Sequence, residues 1–193
     1  MVVIIHRLCG IEILIKTQYS HAQFINYSGS VWGGFIINIL LVSPLPPPAG
    51  GIATWTSKFL EWASGNSLNV RNVNTSLFAE RRDNKYIWTA IESEVRRSLT
   101  IIWQVKKMIS RYRFDIAHLN TSCGKYGLYR DYLCAKIISN KGIKLIVHYH
   151  CNIGDQVRSN WLHQNAFKRL ADIAIINLIL NETSRDYINQ RPF

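Results

Sequence analysis

The sequence predicts an α/β fold, in which a doubly wound, mostly parallel sheet carries helices on both faces. Short apolar runs of strand length alternate with amphipathic segments of helical length, which is typical of βαβ units. Glycine, proline and asparagine separate these segments. Right-handed crossovers between parallel strands then give a Rossmann-like layered domain. The chain of 193 residues, 48% of them apolar, is long enough to bury one hydrophobic core.

The folded domain is predicted to span residues 36–193. Residues 1–35 show no sustained hydrophobic period, so we expect an N-terminal extension whose order the sequence leaves open. The domain begins with an apolar strand over 36–42, which ends at a run of prolines and two glycines. A helix is expected to follow over 52–63.

The later segments continue this alternation of strands and helices. The predicted elements are, in chain order, a weak strand over 67–73, a long helix over 87–113, a strand over 114–119, a helix that ends near 139, a strand over 143–148, a helix through about 170, a strand that starts at Ala171, and a last helix that starts at Asn181.

The charge of the chain favours anionic partners. Lysine and arginine outnumber acidic residues 23 to 12, which gives a net charge of +11 and a pI of about 9.7. Phosphorylated substrates and an anionic membrane surface fit such a charge. Because no nucleic-acid-binding motif accompanies the basic residues, we expect no nucleic acid among the partners.

Cysteine spacing predicts a reducing compartment, and hydropathy predicts a protein that does not span the membrane. The four cysteines form no CxxC pair and no cluster with zinc-ligand spacing, which predicts free thiols and no structural metal. The chain has no run of about 18 uninterrupted apolar residues, the length that a spanning helix requires. We therefore expect a cytoplasmic protein that is at most peripheral at the inner face of the membrane.

The long helix combines an apolar stripe with many positive charges. Its stripe is expected to contain Leu99, Ile102, Trp103 and Ile109. The basic residues of the same segment are Arg96, Arg97, Lys106, Lys107, Arg111 and Arg113. We expect the stripe to pack on the sheet and only the charges to contact anionic lipid.

Two loops at predicted strand ends carry candidate binding residues, since parallel sheets bind ligands at the carboxyl ends of their strands. Gly50 and Gly51 precede a helix, where bare backbone amides can bind a phosphate, although a plain tight turn also explains two glycines after prolines. Asn120, Thr121 and Ser122 offer amide and hydroxyl groups to sugar-like ligands, or alternatively cap the next helix.

A third strand end carries two histidines. Alternation along the strand places His148 and His150 on one face, with His150 at the exit of the strand. A His-x-His pair can bind zinc, but no third ligand is apparent, so we expect no metal. His118 lies within the preceding strand, where a packed histidine is expected rather than a ligand.

In this order, the three loops resemble the N-terminal domain of family 4 glycosyltransferases. The segment 47–52 (P-P-A-G-G-I) matches the family's proline-and-glycine loop, and 115–118 (D-I-A-H) matches a later strand of the family. His150 stands where the family has a histidine at a strand end. Segments 171–176 and 180–188 are similar to the family's last strand and helix.

Two positions depart from the family pattern. Cys151 follows His150 where the family usually has glycine, which could narrow the cleft there. Asn181 replaces a serine, and asparagine caps a helix equally well.

The resemblance implies one half of a GT-B enzyme, in which two Rossmann-like domains face each other across a cleft. The partners would be a nucleotide-sugar donor and a glycan or lipid-linked acceptor, with retention of anomeric configuration and no metal or other cofactor. Gly50 and Gly51 would approach the donor diphosphate, and His150 would bind the donor sugar or the developing charge. Asn120, Thr121 and Ser122 would face the acceptor.

The sequence ends at Phe193, where the family's interdomain linker would begin. We therefore expect a truncated or split enzyme that is inactive alone and needs a separate C-terminal donor domain. The alternative is a non-catalytic binding or partner subunit of a glycosyltransferase complex. An unrelated Rossmann enzyme, such as a reductase, is disfavoured because no GxGxxG motif is present.

Overall fold

The structure is a computed structural model, which describes residues 2–4, 12–15, 23–26, 36–66, 68–76, 87–157 and 161–189. Its strands are β1 (Val2–Ile4), β2 (Glu12–Ile15), β3 (Gln23–Asn26), β4 (Ile37–Ser43), β5 (Leu68–Asn74), β6 (Ile116–Thr121), β7 (Lys144–Tyr149) and β8 (Ile176–Ile179). Its helices are α1 (Gly51–Ser64), α2 (Ile87–Arg111), α3 (Lys125–Ser139), α4 (Ile153–Val157), α5 (Trp161–Ile173) and α6 (Glu182–Asn189).

The predicted α/β fold is confirmed. Five parallel strands form the sheet in the order β5-β4-β6-β7-β8, and β1 adds a sixth parallel strand beside β8. The strand order reverses between β4 and β6, because the chain first moves from β4 to β5 and then crosses back. Such a reversal leaves a crevice at the carboxyl ends of the two strands, which is where doubly wound folds bind ligands.

Residues from the N-terminal 35 also enter the sheet. β1 pairs with β8 in parallel, whereas β2 and β3 form a separate antiparallel pair. The prediction that residues 1–35 form an extension outside the domain at 36–193 stays a prediction. Within the described residues, every helix is too short or too polar to span a lipid bilayer.

The two faces of the sheet differ in chemistry. On one face the strands contribute Leu40, Val42, Leu119, Val147 and similar residues to a continuous apolar core. Helices α2, α3 and α5 supply the opposite side of this core, which includes Ile101, Leu128 and Phe167. The alternate strand positions point to the other face, which α1 covers.

The last strand starts later than the sequence suggested. The strand predicted to start at Ala171 begins at Ile176, because α5 continues through Ile173. Leu170 is fully buried, and its carbonyl accepts the backbone N–H of Ala174 at 3.3 Å, which completes the final helical turn. The β-branched residues of this segment fit a strand by propensity, but packing of the preceding helix decides where the strand begins.

The apolar stripe predicted for α2 is partly wrong. Leu99 and Trp103 are 61% and 57% exposed, whereas Ile101 and Val105 are fully buried. On an α-helix, the face of Leu99 and Trp103 continues to Lys106, so these two residues lie on its outer side. The remaining members of the predicted stripe, Ile102 and Ile109, are partly buried against the core.

Candidate functional site

The candidate site lies at the reversal of strand order, where β4 and β6 end side by side. Ser43 is the last residue of β4, and Asn120 is the next-to-last residue of β6. The side chains of both are buried, and the Nδ2 of Asn120 donates to the Oγ of Ser43 at 2.8 Å. The backbone N–H of His150, at the end of β7, donates to the carbonyl of Thr121 at 2.8 Å. Three strand ends are thus joined at one edge.

A continuous hydrogen-bonded chain connects α1 to His150. The Oγ1 of Thr56 donates to the carbonyl of Ile52 at 2.8 Å and contacts the Oγ of Ser43. Ser43 in turn contacts Asn120, whose Oδ1 lies 3.2 Å from the Nε2 of His150. Because the carbonyl of Ile52 can only accept, Thr56 must accept from Ser43, and Ser43 must accept from Asn120.

The direction of this chain determines the tautomer of His150. Since Asn120 uses its NH₂ group toward Ser43, it presents its carbonyl oxygen to His150. The Nε2 of His150 is therefore protonated and donates to this oxygen. In a neutral ring, the Nδ1 atom is then left as a hydrogen-bond acceptor.

Three histidine rings and one indole form the wall of the site. The ring centroids of His148 and His150 are 3.8 Å apart, and those of His118 and His148 are 5.7 Å apart. Trp55 of α1 contacts all three, with centroid distances of 5.1 Å to His118, 5.4 Å to His148 and 5.7 Å to His150. Phe59, one turn later, stacks on Trp55 at 5.1 Å. The helix that starts at the glycines therefore covers the histidines.

Burial keeps the histidines neutral. Loss of solvent lowers the pKa of His150 to about 4. The same effect, with added repulsion from His150, lowers the pKa of His118 to about 3. Burial, followed by repulsion from His150 and His118, lowers the pKa of His148 well below its usual value. At neutral pH the site therefore contains three uncharged imidazoles.

Several ring nitrogens of the histidine cluster are buried and lack a hydrogen-bond partner in the part of the chain that the structure describes. The Nδ1 and Nε2 of His148 and the Nε2 of His118 have no hydrogen-bond partner among the described residues. An unsatisfied buried polar group costs about 1–3 kcal/mol relative to a satisfied one. Three such atoms in one cluster favour a functional site, although single unsatisfied atoms also occur elsewhere in the described residues, among them the Oδ2 of Asp131.

Gly50 and Gly51 lie at the N-terminus of α1, on the exposed side of the site. Gly50 is extended, with φ −174°, and a Cβ added to either glycine would meet no atom within 4 Å. Neither backbone geometry nor packing within the protein therefore requires glycine here. In the described part of the chain, no side chain caps this helix and its first turn has no acidic residue. Its N–H groups are consequently available to an anion.

The three predicted acceptor residues lie in different environments. Asn120 and Thr121 belong to β6 and are buried, and both polar groups of the Asn120 side chain are engaged within the protein. The Oγ1 of Thr121 accepts the backbone N–H of Cys123 at 3.1 Å. Ser122 is exposed and follows the end of the strand. Of the three, Ser122 alone presents its side chain to solvent.

The described residues contain no group of three His, Cys, Asp or Glu side chains arranged to hold a metal ion. The neighbouring histidine rings are tilted against one another, by 43° between His118 and His148 and by 36° between His148 and His150.

Sequence reasoning missed part of this site. Trp55, Thr56 and Ser43 were not identified as site residues, although they hold and cover the histidines. One signal was present, because Trp55, Phe59 and Trp62 recur at helical spacing directly after the glycine loop. Comparison with known proteins gave no further assignment: no family model matches this chain, and the search of curated proteins found no similar one.

Proposed function

We propose that this chain is the acceptor-side domain of a GT-B glycosyltransferase similar to family 4, which takes part in sugar transfer from a nucleotide-sugar donor to a glycan or lipid-linked acceptor. One observation carries the proposal. Ile52, which follows the two glycines, is linked to Asn120 and His150 at the reversal of strand order by one hydrogen-bonded chain, and Trp55 of the same helix contacts His150.

Each group of the site has a role that fits this reaction. The N–H groups at the start of α1 would bind the negative charge of the donor diphosphate, and the absence of a Cβ at Gly50 and Gly51 permits close approach. Neutral His150, protonated at Nε2, would accept a sugar hydroxyl at Nδ1. Asn120 would act as a positioning residue that holds this imidazole. The exposed Ser122 would contact the acceptor.

The reaction would need a second, nucleotide-binding domain across the cleft. Stabilisation of the leaving diphosphate is a large part of catalysis in such reactions, and the groups described here supply only one side of it. We therefore expect the domain alone to bind a nucleotide sugar weakly and to transfer no sugar. No bound metal or other cofactor is part of this proposal.

Nuclear magnetic resonance titration tests the proposal. The intact chain, labelled with ¹⁵N, is titrated with a panel of nucleoside diphosphate sugars and with the matching nucleosides. We expect the sugar nucleotides, but not the nucleosides, to shift the backbone amides of Gly50 and Gly51 and the side chain of His150. The absence of shifts with every sugar nucleotide, or shifts confined to another edge of the sheet, would contradict the proposal.

A matched pair of charge variants separates this site from general electrostatics. Gly51→Asp places a carboxylate at the start of α1, where it competes with the diphosphate for the same N–H groups. Ser64→Asp introduces the same charge at the other, exposed end of the helix. We expect Gly51→Asp to weaken binding at least about fivefold, or roughly 1 kcal/mol, and Ser64→Asp to change it little.

The membrane partner is part of the same proposal, and α2 offers the surface for it. Val95, Leu99 and Trp103 are 49%, 61% and 57% exposed and recur every fourth residue along one face. The Nζ of Lys107 lies 4.7 Å from the centroid of the Trp103 ring, and Lys106 is exposed beside it. Apolar side chains flanked by lysines are typical of helices that bind an anionic bilayer surface.

Not all basic residues of α2 contribute equally to this surface. Arg96 pairs with Glu92 at 3.0 Å, and Arg97 pairs with Glu94 at 3.2 Å while it also donates to the carbonyl of Thr75. These arginines are partly neutralised within the protein. Arg111 and Arg113 are exposed but lie farther along the chain, whereas Lys106 and Lys107 lie beside Trp103. We therefore expect the two lysines to contribute most to the attraction of anionic lipid and Trp103 to enter the interface.

Co-sedimentation with vesicles tests the membrane partner. We expect the intact chain to bind vesicles that contain phosphatidylserine and not neutral vesicles, and to be released at high salt. Changing Lys106 and Lys107 to Glu should abolish binding. Changing Lys58 and Lys141 to Glu, which alters the same charge at exposed lysines elsewhere, should leave binding nearly intact. Equal losses in both double variants would contradict a specific surface on α2.

A further inference from the structure

Two cysteines meet where β6 and β7 end. Thr121 and Tyr149 are partners in the parallel register, and Cys123 and Cys151 each follow two residues later. The backbone N–H of His150 donates to the carbonyl of Thr121 at 2.8 Å, so the two segments that carry the cysteines leave the sheet side by side. Cys151 packs against the core cluster that contains Cys123, so the two thiols lie in one region of the reduced protein. In agreement with this placement, Cys151 is the main influence that raises the pKa of the Cys123 thiol.

The two thiols differ in their access to solvent. Cys123 is fully buried in the apolar core, and its backbone is held in the left-handed region, with φ 56°. The proximity of Cys151, followed by burial, raises the pKa of the Cys123 thiol well above its usual value. Cys151 is half-buried and packs at the margin of the core. A small oxidant can therefore reach Cys151 and not Cys123.

We propose that Cys123 and Cys151 form an oxidative modification site, which a peroxide converts into a disulfide beside His150. The sulfur of Cys151 attacks the peroxide O–O bond, takes one oxygen as a sulfenic acid and releases the other as water. The sulfur of Cys123 then attacks the sulfenic sulfur, so that the S–S bond forms, the S–O bond breaks and a second water leaves. In total, two thiols lose two protons and two electrons, and one peroxide is reduced to two molecules of water.

The disulfide would lie next to the candidate site. It joins the segment after Asn120 to the segment after His150, whose side chains already share a hydrogen bond. Oxidation would hold these two strand ends together and limit their movement around a ligand. The inference depends on the positions of the thiols alone, so it can be tested without any assumption about sugar transfer.

Peptide mapping of the intact chain tests the proposal. The reduced protein is treated with hydrogen peroxide, its remaining thiols are alkylated, and the digested peptides are identified by mass spectrometry. We expect a linked peptide pair that contains Cys123 and Cys151, lighter by two hydrogen atoms and split by dithiothreitol. The closed loop should also raise the melting temperature by roughly 5–10 °C, reversibly on reduction.

Serine variants supply the controls. Cys151→Ser should abolish the linked peptide and the rise in melting temperature. Cys134→Ser, at a buried cysteine of α3, and Cys9→Ser should retain both. Cys123→Ser changes a buried position, so the wild type and Cys151→Ser decide the outcome if that variant does not fold. Full alkylation of Cys151 after peroxide treatment, its oxidation to a sulfinic acid, or a link to Cys9 or to another chain would overturn the proposal.

Discussion

The two faces of the central sheet are built from the same strands but differ in the side chains that they bury. Leu40, Leu119 and Val147 point to the side of α2, α3 and α5, where the core is continuous and apolar. The neighbouring positions Asn120 and His148 point to the side of α1 and are buried all the same. The polar groups on the α1 face cluster at the carboxyl ends of the strands, where parallel sheets commonly bind ligands, whereas the other face also buries polar side chains, among them Thr121 and Asp131.

The two faces should contribute differently to the free energy of unfolding. The face of α2, α3 and α5 gains free energy mainly from the burial of apolar side chains, and its buried Asp131 is paired with Arg130 at 2.7 Å. On the α1 face, one series of hydrogen bonds connects the side chains of Ser43, Asn120 and His150. Ring nitrogens of His118 and His148 have no hydrogen-bond partner among the described residues. We expect the first face to account for folding stability and the second to account for function, and four measurements can test this division.

The largest expected effect is on the apolar face. Leu119→Ala removes a fully buried side chain and should lower the free energy of unfolding by about 2–5 kcal/mol, because a cavity remains in the core. Leu99→Ala makes the same change at a leucine that is 61% exposed and should cost less than about 0.5 kcal/mol. Urea denaturation measures both. A similar cost at the two positions would mean that Leu99 is covered in solution.

A smaller effect is expected when the hydrogen-bonded chain is cut. Asn120→Ala leaves the Oγ of Ser43 and the Nε2 of His150 without their shared partner and should cost about 1–3 kcal/mol. Ser122→Ala, two residues later at an exposed position, should stay within about 0.5 kcal/mol. If Asn120→Ala left the free energy of unfolding unchanged in the same experiment, the series of hydrogen bonds from Thr56 to His150 would not stabilise the fold.

The pH dependence of stability should differ between the faces. The pKa of His150 is about 4 when folded, below its unfolded value of about 6.5, so the unfolded chain binds more protons between these values. Stability should therefore fall as the pH drops below about 6.5, by up to about 1.4 kcal/mol per pH unit from this histidine alone. His150→Gln should reduce the slope by one proton, whereas Ser43→Ala should leave it unchanged. An unaltered slope in His150→Gln would show that this imidazole binds protons equally in the folded and unfolded states, which would contradict the lowered pKa.

The last measurement concerns the position of one proton on His150 and not the free energy of unfolding. The direction of the chain from Ile52 to Asn120 predicts that His150 carries its proton on Nε2. Imidazole ¹⁵N chemical shifts at neutral pH should show this tautomer almost exclusively, and the Asn120→Ala variant should show a mixture. A protonated Nδ1 in the wild type would reverse the proposed role of His150 as an acceptor of a sugar hydroxyl.

The sequence alone was sufficient for the order of strands and helices from residue 36 onward, except for the short helix α4, whose segment was expected to be irregular. Period-two and helical patterns report which side of each element is buried, and they placed β4, β6 and β7 within two residues of their positions. The same local signal failed in α2, where Leu99 and Trp103 were assigned to the core. Hydropathy identified them as apolar, but only the neighbouring Ile101 and Val105 meet the sheet.

The sequence likewise placed His148 and His150 on one face and the glycine loop before a helix, because these are properties of a single strand or a single turn. Only the tertiary structure decided that Ser43, Asn120 and His150 touch, that Trp55 covers three histidines, and that Cys123 lies opposite Cys151. These contacts join segments far apart in the chain, and they depend on strand order and register, which no local pattern encodes.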